Sequence, residues 1–223
     1  NATGTTATVS GGYSNTASGT YDASIGGGAL NSASGNKSRV GGGQGNSATG
    51  VYSNIGSGYY NAATSTYSSV AGGGRNNTAS GYGSSVGAGI LNCSSSTAST
   101  VGGGEGNTAS SPWSFVGGGV SNSAGGACWS VVVGGCGNTI STCGAFIGGG
   151  NGNTVSGSGG YKGVIGGGSL NSVSGWYSFI GAGYNNRICG VYAATISGGY
   201  QNVISAGCQG TIAGGRGNSV TGN

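Results

Sequence analysis

Apolar β-branched residues recur along the whole chain at one place in a unit of 15 or 16 residues. An Asn follows each of them after six positions (seven in one case), and a second small or apolar residue stands two positions after the Asn. The β-branched residues are Val9, Ile25, Val40, Ile55, Val70, Val86, Val101, Val116, Val132, Ile147, Ile165, Ile180, Ile196 and Ile212. The asparagines are Asn15, Asn31, Asn46, Asn61, Asn77, Asn92, Asn107, Asn122, Asn138, Asn153, Asn171, Asn186, Asn202 and Asn218. Fourteen copies in phase indicate a solenoid with one coil per unit.

Each unit has two apolar points separated by Gly-rich stretches, which suits two short strands and two turns. Helical repeats need a longer unit and do not tolerate Gly at every turn. The pattern therefore predicts an all-β fold: a Gly-rich parallel β-solenoid, or β-roll, of about 14 coils in a single domain over 1–223. The Val/Ile column and the second column should face inward. A polyglycine-II sandwich is the alternative, because Gly triplets such as Gly26–Gly28 can pack in that way.

One step of the repeat is 18 residues long, between Asn153 and Asn171. The extra residues predict a loop at 158–163 that bulges from one coil and carries Tyr161 and Lys162.

The composition excludes several classes of function. The 223 residues include 58 Gly, no His and two acidic side chains, Asp22 and Glu105. Catalytic triads, carboxylate pairs and His-based metal sites cannot be built from this set, so we expect neither an enzyme nor a cofactor. Six scattered basic residues are too few for a nucleic-acid footprint, and no apolar run approaches the ~20 residues of a membrane span.

The interior of such a coil is small, which favours assembly with partner chains. One Val or Ile per coil contributes ~1.5–3 kcal/mol on burial. Ordering the residues of that coil costs ~1–2 kcal/mol each. Backbone ladders, Gly packing and other chains must supply the remainder.

An apolar stripe is predicted on the outside of five consecutive coils. The residue before each core Val or Ile should point outward, because neighbours in a strand alternate. This position is polar in most coils, but it is apolar at Phe115, Val131, Phe146, Val164 and Phe179. We expect this stripe to be a lateral interface with another chain. A covering loop would be the other explanation.

Columns of Ser and Asn are predicted to satisfy turn carbonyls. The serines lie two places before the core residue, at Ser38, Ser53, Ser68, Ser84, Ser99, Ser114, Ser130 and Ser178. A hydroxyl array that orders water, as in ice-binding solenoids, is a less favoured alternative, since such faces usually need regular Thr pairs and these columns mix Thr, Ser, Ala and Cys. The 12 Tyr and three Trp fall mainly in turns, where contact with a surface glycan or matrix ligand is an alternative to packing between coils.

Six cysteines without metal-type spacing indicate oxidising surroundings. Cys128 and Cys143 occupy the same place on adjacent coils, ~4.8 Å apart, within the Cα range for a disulfide. Cys189 and Cys208 are about one coil apart and form a second, less ideal pair. Cys93 and Cys136 are left unpaired or intermolecular.

Four sequons for N-glycosylation occur, at Asn1, Asn36, Asn76 and Asn92. They matter only if the source glycosylates, and chance in an Asn/Ser/Thr-rich chain is the favoured explanation. Both ends of the sequence are in phase with the repeat and show no capping segment, so head-to-tail stacking of chains is expected.

The unit resembles the head repeats of YadA-type trimeric autotransporter adhesins. The family pattern is Ser-Val-Ala-Ile-Gly-x-x-Ser-x-Ala-x-Gly, and the segment 24–35 matches its second half through Gly28, Ala33 and Gly35, with Asn31 in place of Ser. Gly27 replaces the inner Ile of the family. The resemblance covers nearly the whole chain and implies a left-handed roll, a homotrimer, a location outside the cell and adhesion.

Two functions follow from these observations. The first is an extracellular structural protein whose solenoid subunits self-assemble into a fibre, on the cell or virion surface or outside the cell. The second is a surface-binding adhesin head or viral tail-fibre segment. Ice binding is the least favoured.

Overall fold

The chain forms a parallel β-solenoid of about fourteen turns with two short strands per turn. The computed structural model describes residues 1–157 and 162–221. They group into two compact units, Asn1–Ser110 and Ser111–Asn223, each with seven coils. All strands are two residues long, and the described residues contain no helix, hence none that could cross a membrane. The predicted all-β fold is confirmed, and the polyglycine-II alternative is not formed.

Each unit has two parallel sheets, one on either side of its interior. The first sheet carries the core Val or Ile, and the second sheet carries the residues after the Asn. In the first unit, the first-sheet strands are Thr8–Val9, Ser24–Ile25, Arg39–Val40, Asn54–Ile55, Ser69–Val70, Ser85–Val86 and Thr100–Val101. Its second-sheet strands are Thr16–Ala17, Ser32–Ala33, Ser47–Ala48, Ala62–Ala63, Thr78–Ala79, Cys93–Ser94 and Thr108–Ala109. A further pair is Gly74–Arg75 with Gly89–Ile90.

In the second unit, the first-sheet strands are Phe115–Val116, Val131–Val132, Phe146–Ile147, Val164–Ile165, Phe179–Ile180, Thr195–Ile196 and Thr211–Ile212. Its second-sheet strands are Ser123–Ala124, Thr139–Ile140, Thr154–Val155, Ser172–Val173, Arg187–Ile188, Val203–Ile204 and Ser219–Val220.

The same repeat position pairs from coil to coil. Val40 pairs with Ile55, and Ala48 pairs with Ala63. Ile147 pairs with Ile165 in the same way, although the coil that includes Ile165 is the longer one. Of the loop predicted there, residues 158–161, including Tyr161, lie outside the described residues; Lys162 is exposed. The longer coil therefore leaves the ladder in register on both sides.

The interior is lined by the two predicted columns and by a third one. Of the fourteen Val/Ile residues predicted inward, thirteen are buried and Val9 is half-buried. The third column lies two positions before the core residue. It is mostly Ser in the first unit, and it includes Ala145, Gly163 and Ala194 in the second. A Cβ on Gly163 would lie 2.7 Å from Val155 Cγ1 and 3.0 Å from Val173 Cγ1, so the small residue makes room for the larger second column.

A Gly stands three positions before every Asn of the repeat, and its conformation explains why no other residue occurs there. All fourteen have φ between 84° and 124°, a region that disfavours side chains. A Cβ on Gly43 would also lie 2.1 Å from the carbonyl oxygen of Gly58 in the next coil. The turn thus needs Gly for its dihedral angle and for the close approach of coils.

The buried Asn column forms a continuous amide ladder within each unit. Asn46 Nδ2 donates to the carbonyl oxygens of Gly42 (2.9 Å) and Gly58 (2.8 Å). Its Oδ1 accepts the backbone N–H of Asn61 at 3.0 Å. The same bonds recur in the second unit, where Asn153 Nδ2 donates to Gly149 and Gly168 at 2.9 Å each. One amide therefore satisfies its own turn and links it to the next coil.

Candidate functional site

The candidate sites are outer surfaces. The described residues form no cavity, and they contain no group of three or more His, Cys, Asp or Glu side chains placed to hold a metal ion. What the molecule can do therefore depends on the faces of its sheets and on its turns.

The predicted apolar stripe lies in one register on the outside of the first sheet of the second unit. Phe115 pairs with Val131, and the column continues through Phe146 and Val164 to Phe179. The three Phe side chains are 37–41% exposed, and the two Val are half-buried. Each ring reaches along its strand over the small residue two positions later: Phe146 Cε1 is 3.4 Å from where a Cβ of Gly148 would stand. The stripe is a continuous apolar column with a ring on every second coil.

The predicted polar columns are internal and mostly satisfied. Ser68 Oγ donates to the carbonyl of Ser65 at 2.7 Å, and Ser99 Oγ donates to Ser96 at the same distance. Ser130 Oγ lies 2.8 Å from the carbonyl oxygens of both Gly125 and Thr142. The buried hydroxyls of Ser38 and Ser53 have no hydrogen-bond partner among the described residues. These columns close turns and present nothing to a ligand.

A second hydroxyl array, which the sequence analysis did not single out, lies on the outside of the second sheet of the first unit. We call it the hydroxyl face. It consists of the residues one and three positions after each Asn: Thr16, Ser18, Ser32, Ser34, Ser47, Thr49, Ala62, Thr64, Thr78, Ser80, Cys93, Ser95, Thr108 and Ser110. Twelve of the fourteen carry a hydroxyl, and the exceptions are Ala62 and Cys93. The signal was present in the sequence as Asn-Ser/Thr-x-Ser/Thr, repeated at a fixed offset from the Asn.

Aromatic side chains stack along the turns within each unit. Tyr52 and Tyr67 stack with ring centroids 5.1 Å apart, and Lys37 Nζ lies 5.2 Å from the Tyr52 ring centroid. In the second unit, Trp113 stacks on Trp129 at 5.6 Å. These rings therefore pack coil against coil, and each of the four stacked side chains is still 45–59% exposed.

The cysteines stand as free thiols. Cys128 and Cys143 lie on adjacent coils with their Sγ atoms 2.7 Å apart, and the hydrogen bond that the two thiols share, together with partial burial, raises the pKa of Cys128 to about 11. Cys189 lies beside Ser205 of the next coil in the ladder. Cys208 directly precedes Gln209, whose N–H donates to the carbonyl oxygen of Tyr192. Both disulfides stay predictions, as do intermolecular roles for Cys93 and Cys136.

The sequons differ in access. Asn92 belongs to the buried ladder, and its Nδ2 donates to the carbonyls of Ala88 and Gly104, so a glycosyl transferase cannot reach it in the folded chain. Asn76 is exposed in a turn, Asn36 is half-buried and Asn1 is exposed. Glycosylation at these three stays a prediction.

Comparison with known proteins yields no match: no family model fits the sequence, and no curated protein is similar to it. The resemblance to adhesin head repeats therefore depends on the repeat pattern and on the β-solenoid architecture. The handedness, the homotrimer and the adhesin role stay predictions.

Proposed function

We propose that this chain is an extracellular structural protein whose solenoid subunits assemble with copies of themselves into a fibre. The β-solenoid fold is consistent with a structural repeat protein. The observation that supports assembly is the apolar stripe of the second unit, where three exposed Phe side chains lie in one register with two Val. Exposed apolar columns of this kind commonly mark contact between proteins.

The partner in this proposal is a second copy of the chain. No charged side chain lies in the stripe or in the positions two residues after it, so burial would desolvate no ion. Rings alternate with Val, and a second stripe that is antiparallel and shifted by one coil would place two of the three Phe of each chain against the two Val of the other. Head-to-tail stacking of coils through their backbone ladders would extend such pairs into a filament.

The test is Phe146→Asp, with Thr195→Asp as the matched control. Both positions lie in the same outward column of the second unit, and only Phe146 belongs to the stripe. Electron microscopy and sedimentation velocity should show laterally paired filaments or larger species for the unmodified chain and for the control, and only monomers or single unpaired rows of chains for Phe146→Asp. Equal assembly of both variants would refute the stripe as the contact. Discrete trimers in place of filaments would support the adhesin-head alternative.

A further inference from the structure

The hydroxyl face of the first unit is periodic in two directions. Its register runs from Thr16 through Ser32, Ser47, Ala62, Thr78 and Cys93 to Thr108 without offset. Adjacent coils are ~4.8 Å apart, and the two columns are separated by two residues of a strand, ~6.6 Å. Such a surface matches a partner that is itself periodic, because a partner of irregular shape would use only a few of the positions.

The hydroxyls on this face are free to bind outside the chain. The column next to the Asn is half-buried, and the column beyond it is exposed in all seven coils. None of the twelve hydroxyls makes a hydrogen bond to another group in the described part of the chain. This distinguishes them from Ser68 and Ser99, whose hydroxyls are used within turns.

The face carries no charge. The charged residues of the first unit are Asp22, Lys37, Arg39, Arg75 and Glu105, and all of them lie in turns, in the first sheet or in the Gly74–Arg75 strand. An ammonium, guanidinium or carboxylate group would hold its own hydration shell and disturb ordered water around it. Apart from Ala62 and Cys93, the hydroxyl face has only hydroxyls, with the methyl groups of Thr16, Thr49, Thr64, Thr78 and Thr108 between them.

The corresponding surface of the second unit is less regular. Its two columns include Gly125, Arg187, Cys189 and Val203, and Ser174 Oγ is used internally by the N–H of Gly190. The regular, uncharged version of the surface is therefore confined to the first unit.

We propose that the hydroxyl face of the first unit binds ice, with its hydroxyls hydrogen-bonding to the ordered water lattice of a crystal surface. One such bond contributes only ~0.5–1.5 kcal/mol net, so the affinity depends on many bonds formed together. The ladder holds the hydroxyl-bearing backbone in place before binding, so little conformational entropy is lost. This function is independent of fibre formation, because the stripe and the hydroxyl face are on different sheets of different units.

The test measures thermal hysteresis and uptake into growing ice for the purified full chain. Thr78→Tyr places a bulky ring in the middle of the hydroxyl face. Ser85→Tyr is the matched control, since Ser85 is an equally half-buried outward position of the same unit, on the first sheet. We expect hysteresis for the unmodified chain, a loss of about tenfold for Thr78→Tyr, and no loss for Ser85→Tyr. Ala62→Thr, which fills a gap in the array, should increase the hysteresis.

Circular dichroism and thermal unfolding of each variant show whether its coils are intact, so a loss of fold is separated from a loss of binding. Exclusion of the unmodified chain from ice would overturn the proposal, as would equal loss in both Tyr variants. Binding to crystalline cellulose in the absence of ice uptake would also overturn it, because the periodic partner would then be a polysaccharide.

Discussion

The two units share one repeat but differ in what they place inside and outside. In the first unit the second core column is Ala, with Ser94 as the exception, and the outward column before each core residue is polar or charged. In the second unit the second column changes to Ile and Val from Ile140 onward, and the outward column changes to Phe and Val over five coils. The shared turn geometry is thus compatible with two core sizes and with two kinds of surface.

The Gly three positions before each Asn is shared by both units. It should be the position most sensitive to substitution, to the same degree in each unit. Gly43→Ala and Gly150→Ala each place a Cβ at positive φ and 2.0–2.1 Å from a carbonyl oxygen of the next coil. We expect each to lower the free energy of unfolding by roughly 4 kcal/mol or more. Chemical denaturation checks this. Gly27→Ala is the control, since its Cβ would contact nothing within 4 Å. A marked difference between the two units would contradict a common turn.

The two cores should lose stability for opposite reasons, one through a cavity and the other through overpacking. Ile188→Ala in the second unit should lower the free energy of unfolding by about 3 kcal/mol, through lost burial and a cavity. Ala48→Val in the first unit should cost about 1–3 kcal/mol by overpacking. Adding Ser53→Gly should recover part of that cost, because Gly163 makes the same accommodation beside Val155. Denaturation of the single and double variants measures the coupling, and simple additivity would argue against compensation.

The smallest predicted effect concerns the thiol pair of the second unit. The raised pKa of Cys128, about 11, favours the neutral thiol, and alkylation requires the thiolate. At pH 8.5 under reducing conditions, iodoacetamide should therefore modify Cys128 more slowly than the exposed Cys136, with the rate increasing as the pH approaches 11. Cys143→Ala should speed the reaction by removing the hydrogen bond. Peptide mass spectrometry follows each site, and an unchanged rate would exclude the thiol contact.

The sequence was sufficient for the fold because a parallel ladder requires the same residue type at the same position in every coil. The β-branched column and the Asn therefore fixed strand positions and register without further information. The hydroxyl face was not predicted because its columns mix Thr, Ser, Ala and Cys, and such a mixture looks irregular when residues are compared by type. Judged by offset from the Asn, the same residues form two columns.

Other features could not be predicted from local patterns. The sequon at Asn92 belongs to the repeat Asn column and the one at Asn76 does not, but only the structure shows that this column is buried. The division into two units at Ser110 and Ser111 interrupts no repeat. The need for a small residue at Gly163 is explained only by the structure, in which Val155 and Val173 lie beside it.

The unequal lengths of the coils have a consequence for engineering. The turn Gly stands three residues before the Asn in every coil. Almost all of the difference in length between coils lies in the segment from the Asn to the next core residue. One edge of each unit thus keeps a fixed length, and the opposite edge accepts insertions, as the 18-residue step shows. A foreign peptide or an enzyme tag could be spliced into those variable turns at several coils at once. Each unit would then act as a ruler that presents guests at regular intervals along one of its edges.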